Sequence, residues 1–76
     1  MNKTLYSKER RKLSELLINA REKCNLTQKQ VGEAGFISQS ELSKIENGQR
    51  KVDFLILLKL AQLYKKPVTF FVPTKK

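Results

Sequence analysis

The sequence contains no histidine, no tryptophan and a single cysteine, Cys24. One cysteine cannot close a disulfide within the chain, and a zinc site would lack its usual ligands. We therefore expect no metal, no cofactor and no catalytic thiol, with Cys24 a small, half-buried residue. The sequence also offers no glycine-rich phosphate loop and no pair of carboxylates in apolar surroundings, which argues against an enzyme.

Long apolar runs are missing as well. The longest, Phe54 to Leu58, is far shorter than the roughly 20 residues that span a membrane. The N-terminus lacks the apolar segment of a secretory leader. Together with the lone cysteine, these absences predict a cytoplasmic protein with no membrane partner.

Basic residues, by contrast, are in excess. Sixteen Lys and Arg face seven Asp and Glu, so the formal net charge of the 76 residues is +9. Such an excess favours a polyanionic partner, either nucleic acid or an anionic membrane surface. A membrane role for the first helix is disfavoured because its polar face mixes Glu9, Glu15 and Glu22 with the cations. A chain of this length has room for a single domain with a small core.

Apolar spacing and helix caps predict an all-α fold, a compact bundle of four to five short helices. A first helix from Glu9 to Lys23 carries one apolar stripe, formed by Leu13, Leu16, Leu17 and Ala20. Asn25 follows it, and asparagine tolerates the left-handed backbone that ends helices. Two capping boxes then open a second helix over 28–34 and a third helix that ends near residue 46: Thr27 with Gln30, and Ser38 with Glu41.

The remaining signals place two further helices and the ends of the domain. Asn47-Gly48 ends the third helix, and Asp53 caps an apolar fourth helix that ends near Tyr64. Pro67 suits the first turn of a short fifth helix. The sequence thus predicts one domain over residues 8–72, between a loose arm, 1–7, and a loose tail, 73–76.

The second and third helices have the sequence form of a helix-turn-helix, because a tight turn joins them and the second of the pair is capped. Gly32 stands where close packing requires a small side chain. Apolar residues stand where the two helices must be held together, at Val31, Leu42 and Ile45. The outer face of the third helix is left polar, with Gln39, Ser40, Ser43 and Lys44.

These residues resemble the Cro and phage-repressor type of helix-turn-helix family, which is also called Xre-like. The resemblance runs from about Leu13 to Phe71 and is carried by three strings: Leu26-Thr27-Gln28, Ser38-Gln39-Ser40-x-x-Ser43-Lys44-Ile45-Glu46-x-Gly48 and Leu57-Leu58-Lys59-Leu60-Ala61. It implies a lambda-repressor-like fold. It also implies a sequence-specific regulator of transcription, a repressor, that binds double-stranded DNA at the nucleoid of a bacterium or of a phage-infected cell.

The same resemblance implies a set of DNA-binding residues: Gln28, Gln39, Ser40, Ser43, Lys44, Asn47, Arg50 and Lys51. Gln39 would be the main base reader, since its amide can pair with adenine N6 and N7. Gln28 would contact phosphate and brace Gln39. Ser40 and Lys44 would reach base edges next, and Ser43 could contact either base or phosphate. The loop residues Asn47, Arg50 and Lys51 would contact phosphates.

Two further features follow from the family pattern. Arg21 and Glu46 resemble a pair that forms a partly buried salt bridge, which is a structural role. The family usually has glycine where this sequence has Phe36, at a turn position with positive φ. Either Gly35 takes the left-handed conformation and the turn is reshaped, or Phe36 is strained there.

Other functions remain open at the level of sequence. An antitoxin or a restriction-modification controller protein would use this same domain. A protein-interaction module is a different class of function, and the outer face of the third helix argues against it because it lacks Tyr, Trp and Met. The sequence shows no domain for a small-molecule ligand.

The fourth helix predicts a homodimer. Its core-facing stripe is expected to be Phe54, Leu57, Leu58 and Ala61. A second apolar set points elsewhere: Leu55, Ile56 and Leu63, followed by Phe70, Phe71 and Val72. We expect a second copy to cover Ile56, Leu63, Phe70 and Phe71, so that a two-fold dimer reads a roughly palindromic operator. The alternative is a core that wraps further round the helix.

Overall fold

Helices supply the regular structure of residues 3–72, the part of the chain that the computed structural model describes. In chain order they are α1 (Lys3–Lys23), α2 (Gln28–Glu33), α3 (Gln39–Glu46), α4 (Phe54–Leu63) and a 3₁₀ helix (Val68–Phe71). No strand occurs between residues 3 and 72, so the all-α prediction is confirmed.

The start of the first helix and the type of the fifth helix differ from the prediction. Helix α1 begins at Lys3 rather than near Glu9, so most of the predicted N-terminal arm is helical. The fifth helix is 3₁₀ rather than α, and Pro67 precedes it instead of occupying its first turn. Residues 1–2 and the predicted tail 73–76 lie outside the described residues, and the domain limits of 8–72 stay a prediction.

Three short helices begin at side-chain caps that the sequence predicts. The Thr27 hydroxyl accepts from the backbone N–H of Gln30 at 3.0 Å, and the Gln30 side-chain oxygen Oε1 accepts from the Thr27 N–H at 2.8 Å. Ser38 and Glu41 make the same reciprocal pair at the start of α3. Asp53 caps α4 by accepting from the N–H of Leu55 at 3.0 Å. Such caps satisfy backbone donors that a helix start leaves without partners.

Left-handed residues follow the C-terminal ends of three helices. Asn25 has φ 59° after α1, Gly48 has φ 75° after α3, and Lys65 has φ 61° after α4. After each of them the next N–H bonds back into its helix, as Gln49 does to the Lys44 carbonyl at 2.9 Å. This is the Schellman motif, which reverses the chain within a few residues. Asn25 and Gly48 confirm the predicted helix ends, and Lys65 was not predicted.

The core forms where α1, the α2–α3 pair, α4 and the 3₁₀ helix meet. Its largest fully buried side chains are Leu17, Val31, Leu42, Leu60, Tyr64 and Phe71. Tyr64 is 1% exposed and closes the centre of the bundle from α4. Burying these apolar surfaces stabilises the short helices, since neither α2 nor α3 is long enough to persist alone.

Two predictions about the apolar residues are wrong. Phe54 is 63% exposed, whereas Leu60, which the predicted core stripe omitted, is fully buried. The residues of α4 that face the core are therefore Leu57, Leu60 and Ala61, followed by Tyr64. This stripe has the same helical spacing as the predicted one but is rotated about the helix axis. Phe71 is 2% exposed within one protomer, so it cannot line a dimer interface as predicted.

None of the helices within residues 3–72 combines the length and the hydropathy that crossing a membrane requires.

Candidate nucleic-acid interface

A tight turn sets α3 against α2, and two glycines make it possible. Gly35 has φ 97°, so it adopts the left-handed conformation and Phe36 does not. Of the two turn geometries that the sequence allows, the structure therefore has the one with Gly35 left-handed and Phe36 unstrained. A Cβ on Gly32 would lie 3.0 Å from the backbone nitrogen of Gln39, so the missing side chain lets the two helices approach closely. Phe36 is half-buried against the core, with the Lys59 ammonium 5.8 Å from its ring centre.

The carboxylate of Glu46 fastens the end of α3 to α1 and to the start of α2. Arg21 Nε donates to Glu46 Oε2 at 2.7 Å and Nη2 donates to Oε1 at 3.0 Å, which is a bidentate pair. The Arg21 Nη1 donates to the Leu26 carbonyl at 2.8 Å. Gln28 Nε2 donates to the same Glu46 Oε1 at 2.8 Å. The hydrogen bonds to Glu46 raise the pKa of the Arg21 guanidinium, so the guanidinium stays ionised.

Along α3, the residues that hold the helix and the residues that face solvent are different. Leu42 and Ile45 are buried, and Glu41 is engaged at the N-terminal cap. Gln39, Ser40 and Lys44 are exposed, while Ser43 is half-buried. The exposed side chains stand at the N-terminal half and outer face of a helix that is rigidly capped, which is where a helix-turn-helix contacts base edges.

A family model described as helix-turn-helix matches residues 17–71, which is most of the chain. The chain belongs to the helix-turn-helix family of the Cro and phage-repressor type. Members of this family are DNA-binding regulatory domains and are not typically enzymes. No curated protein and no solved structure matches the chain.

Within this helix-turn-helix domain, most of the predicted DNA-binding residues are exposed. Asn47 is exposed directly after the recognition helix α3, and Arg50 and Lys51 are exposed in the loop beyond it. The Arg50 guanidinium lies 3.7 Å from the Glu41 carboxylate, and both side chains are about half exposed. A surface pair of this kind is weak, so Arg50 can exchange Glu41 for another anion.

The side-chain contact of Gln28 differs from the one that the sequence predicts. It stands at the first position of α2 and is half-buried. Its amide nitrogen, however, donates to Glu46 rather than to Gln39. The predicted brace between Gln28 and Gln39 is therefore replaced, because a buried carboxylate is the stronger acceptor.

One residue that holds the helix-turn-helix was not singled out by sequence. The buried Ser14 hydroxyl donates to the Ile45 carbonyl at 2.7 Å, which joins α1 to the last turn of α3. A serine on a helix gives no sequence signal for such a bond. Glu46 was predicted as the partner of Arg21 alone, and no sequence pattern indicates that Gln28 also binds its carboxylate. Cys24 is half-buried as predicted, and its thiol donates to the Tyr64 carbonyl at 3.2 Å.

Proposed function

We propose that this helix-turn-helix protein is a sequence-specific transcriptional repressor that inserts α3 into the DNA major groove. The observation that carries the proposal is the exposed amide of Gln39 at the first position of the capped recognition helix. A glutamine amide donates and accepts at once, so it can pair with adenine N6 and N7. Repression requires only that the bound protein occupies promoter DNA, whereas activation requires a further contact with the polymerase.

The other exposed residues of α3 divide between bases and backbone. Lys44 suits guanine O6 and N7, and Ser40, one helical turn before Lys44, can bond to a base edge from the same face. Ser43 is half-buried and reaches either a base or a phosphate. Around them, phosphate contacts are assigned to Gln28, Asn47, Arg50 and Lys51. Gln28 keeps one amide hydrogen for phosphate while the other is donated to Glu46.

We further propose that the repressor binds as a homodimer on a roughly palindromic operator. Leu55 is 63% exposed on α4, and Ile56 and Leu63 pack only partly on the core. Phe70 is also half-buried, whereas Phe71 is excluded because it is buried within the protomer. A second copy that covers the outer side of α4 would remove Leu55 from water. Two recognition helices about 34–36 Å apart would then read adjacent half-sites.

Selection from a random duplex pool tests the DNA-binding proposal. The protein should enrich one sequence, and Gln39→Ala should weaken binding to that sequence by about 1–3 kcal/mol while leaving binding to random duplex nearly intact. Gln62→Ala is the matched control, because Gln62 is an exposed glutamine on α4. Equal losses on selected and random duplex would show that Gln39 does not read a base. Failure to enrich any sequence would overturn sequence-specific binding altogether.

Sedimentation equilibrium at micromolar concentration tests the dimer. The wild-type protein should sediment with twice the protomer mass when alone, and with twice the protomer mass plus the mass of the duplex when the selected duplex is present. Leu55→Glu should shift it towards monomer, because the carboxylate would be buried in the interface. Asn19→Glu introduces the same charge at an exposed polar residue of α1, outside the proposed interface, and it should leave the mass unchanged. A monomer mass for the wild-type protein under both conditions would contradict the proposal.

A further inference from the structure

A surface cleft lies between the first half of α1 and the residues that end α3. Arg10 and Arg11 line it from α1, and Asn47 and Gly48 line it from the end of the recognition helix. The bond from Ser14 to the Ile45 carbonyl, 2.7 Å long, holds the two sides together. The cleft therefore stands next to Asn47, one of the residues assigned above to DNA phosphates.

The charges in the cleft favour an anion. Glu46 also lines it, but its carboxylate is 3% exposed and is bound on both oxygens by Arg21. Glu15 is the one other carboxylate in the lining. Arg10 and Arg11 form no salt bridge with a described residue, whereas Arg21 and Arg50 do. Two guanidinium groups at the rim of this cleft thus have no carboxylate partner within the described part of the chain.

We propose that Arg10 and Arg11 bind a phosphate of the DNA backbone next to the one contacted at Asn47. A guanidinium group presents parallel N–H donors that match two phosphate oxygens, which suits it to this ligand. The contact would extend the protein's footprint from the end of α3 along α1. The inference rests on the proposed function, since it takes the orientation of α3 on the duplex from it.

The salt dependence of DNA binding measures the proposed phosphate contact directly. Each neutralised phosphate contributes about 0.9 to the slope of log K against log salt concentration on duplex DNA. Arg10→Gln and Arg11→Gln should each reduce the magnitude of the slope, by up to about 0.9, and the double variant should lose more than either alone. Lys12→Gln is the matched control. Lys12 is the next residue on α1 and loses the same charge, but it lines a different cavity, together with Leu16 and Phe70.

A second pair of variants separates phosphate binding from helix stability. Arg10→Lys and Arg11→Lys keep the charge, so they should keep the wild-type slope while binding less tightly, because the fork is lost. Thermal unfolding of every variant checks that the fold is intact. The inference is overturned if Lys12→Gln lowers the slope as much as the arginine variants do, or if the arginine variants leave it unchanged.

Measuring the salt slope on random duplex as well distinguishes a failure of the phosphate site from a failure of sequence-specific binding. Phosphate contacts do not depend on sequence, so the arginine variants should lower the slope on random and selected duplex alike. If the protein enriches no sequence but the arginine variants still lower the slope, sequence-specific repression fails and the phosphate site stands. If it enriches a sequence and the slopes do not change, the phosphate site alone is wrong.

Discussion

The guanidinium of Arg21 and the carboxylate of Glu46 face each other fork to fork, with nitrogen–oxygen distances of 2.7 and 3.0 Å. The pair joins the scaffold helix α1 to the last residue of the recognition helix. Its side chains are 12% and 3% exposed, so both charges are largely removed from bulk water. Removing one partner would leave the other charge buried without compensation.

We predict that Arg21→Met lowers the free energy of unfolding by about 3–5 kcal/mol, because Glu46 is left buried and unpaired. Urea denaturation measures the loss. Arg50→Met is the matched control: it removes an arginine from the solvent-exposed pair with Glu41 and should cost less than about 1 kcal/mol. If both substitutions cost the same, the buried pair does not stabilise the fold in this way. Replacing Glu46 by Met in the Arg21→Met background should recover part of the loss.

The hydroxyl of Tyr64 gives a second prediction, at high pH. The oxygen is buried and has no hydrogen-bond partner among the described residues. Burial raises the pKa of the Tyr64 hydroxyl, and the nearby Glu46 carboxylate raises it further. A raised pKa in the folded state means that stability is fully present below a pH of about 10, where the unfolded tyrosine begins to ionise, and falls above it by up to about 1.4 kcal/mol per pH unit.

Tyr64→Phe should therefore cost little at neutral pH, within about 1 kcal/mol, since it removes a buried group that lacks a protein partner. The ordinary tyrosine pKa is about 10, and above that pH the free energy of unfolding should fall less steeply for the variant than for the wild type. Urea denaturation at a series of pH values compares the two proteins. If the free energy of unfolding falls equally steeply with pH for both proteins above pH 10, Tyr64 ionises as readily in the folded state as in the unfolded one.

The left-handed residue after α4 offers a stabilising substitution. Lys65 has φ 61°, a conformation that costs a residue with a Cβ about 1–2 kcal/mol and costs glycine far less. After allowing for the greater chain entropy of glycine, Lys65→Gly should stabilise the fold by about 0.5–1 kcal/mol and raise its thermal midpoint by about 4 °C. Lys65→Ala keeps the Cβ and should leave the midpoint near the wild-type value. Equal midpoints for both variants would count against strain at this residue.

The loop after α3 is predicted to act through charge. Arg50→Gln and Lys51→Gln should each reduce the salt slope of DNA binding by about one unit without changing the preferred sequence. The Arg50 effect should be the smaller if the Glu41 carboxylate, 3.7 Å away, must first be displaced. Slopes equal to that of the wild type would mean that this loop is solvated in the complex.

What the sequence predicted well was decided by local chemistry. Thr27, Ser38 and Asp53 cap helices because their side chains reach backbone donors two or three residues away. Gly48 and Asn25 end helices for an equally local reason, the low cost of a left-handed backbone. These rules, with the apolar spacing of α1, were enough to locate the helix-turn-helix and its exposed face.

What the sequence did not predict depends on contacts between distant elements. Helix α4 is apolar at nearly every position, so its periodicity does not fix which side faces inward, and Phe54 was placed in the core in error. Phe71 is buried because the 3₁₀ helix packs against both α1 and α4, which no local pattern indicates. The bond of Gln28 to Glu46 likewise requires knowledge of where α2 begins relative to the end of α3.

On α3, the side chains that hold the helix in the fold are different from the side chains that are proposed to determine DNA sequence preference. Ser38 and Glu41 cap the helix, Leu42 and Ile45 anchor it, and none of these four is proposed to contact a base. The proposed readers Gln39, Ser40 and Lys44 are exposed and outside the core. Surface substitutions of this kind usually change stability by less than about 0.5 kcal/mol. New operator preferences could therefore arise, in evolution or in the laboratory, by exchanging three side chains on an unaltered scaffold.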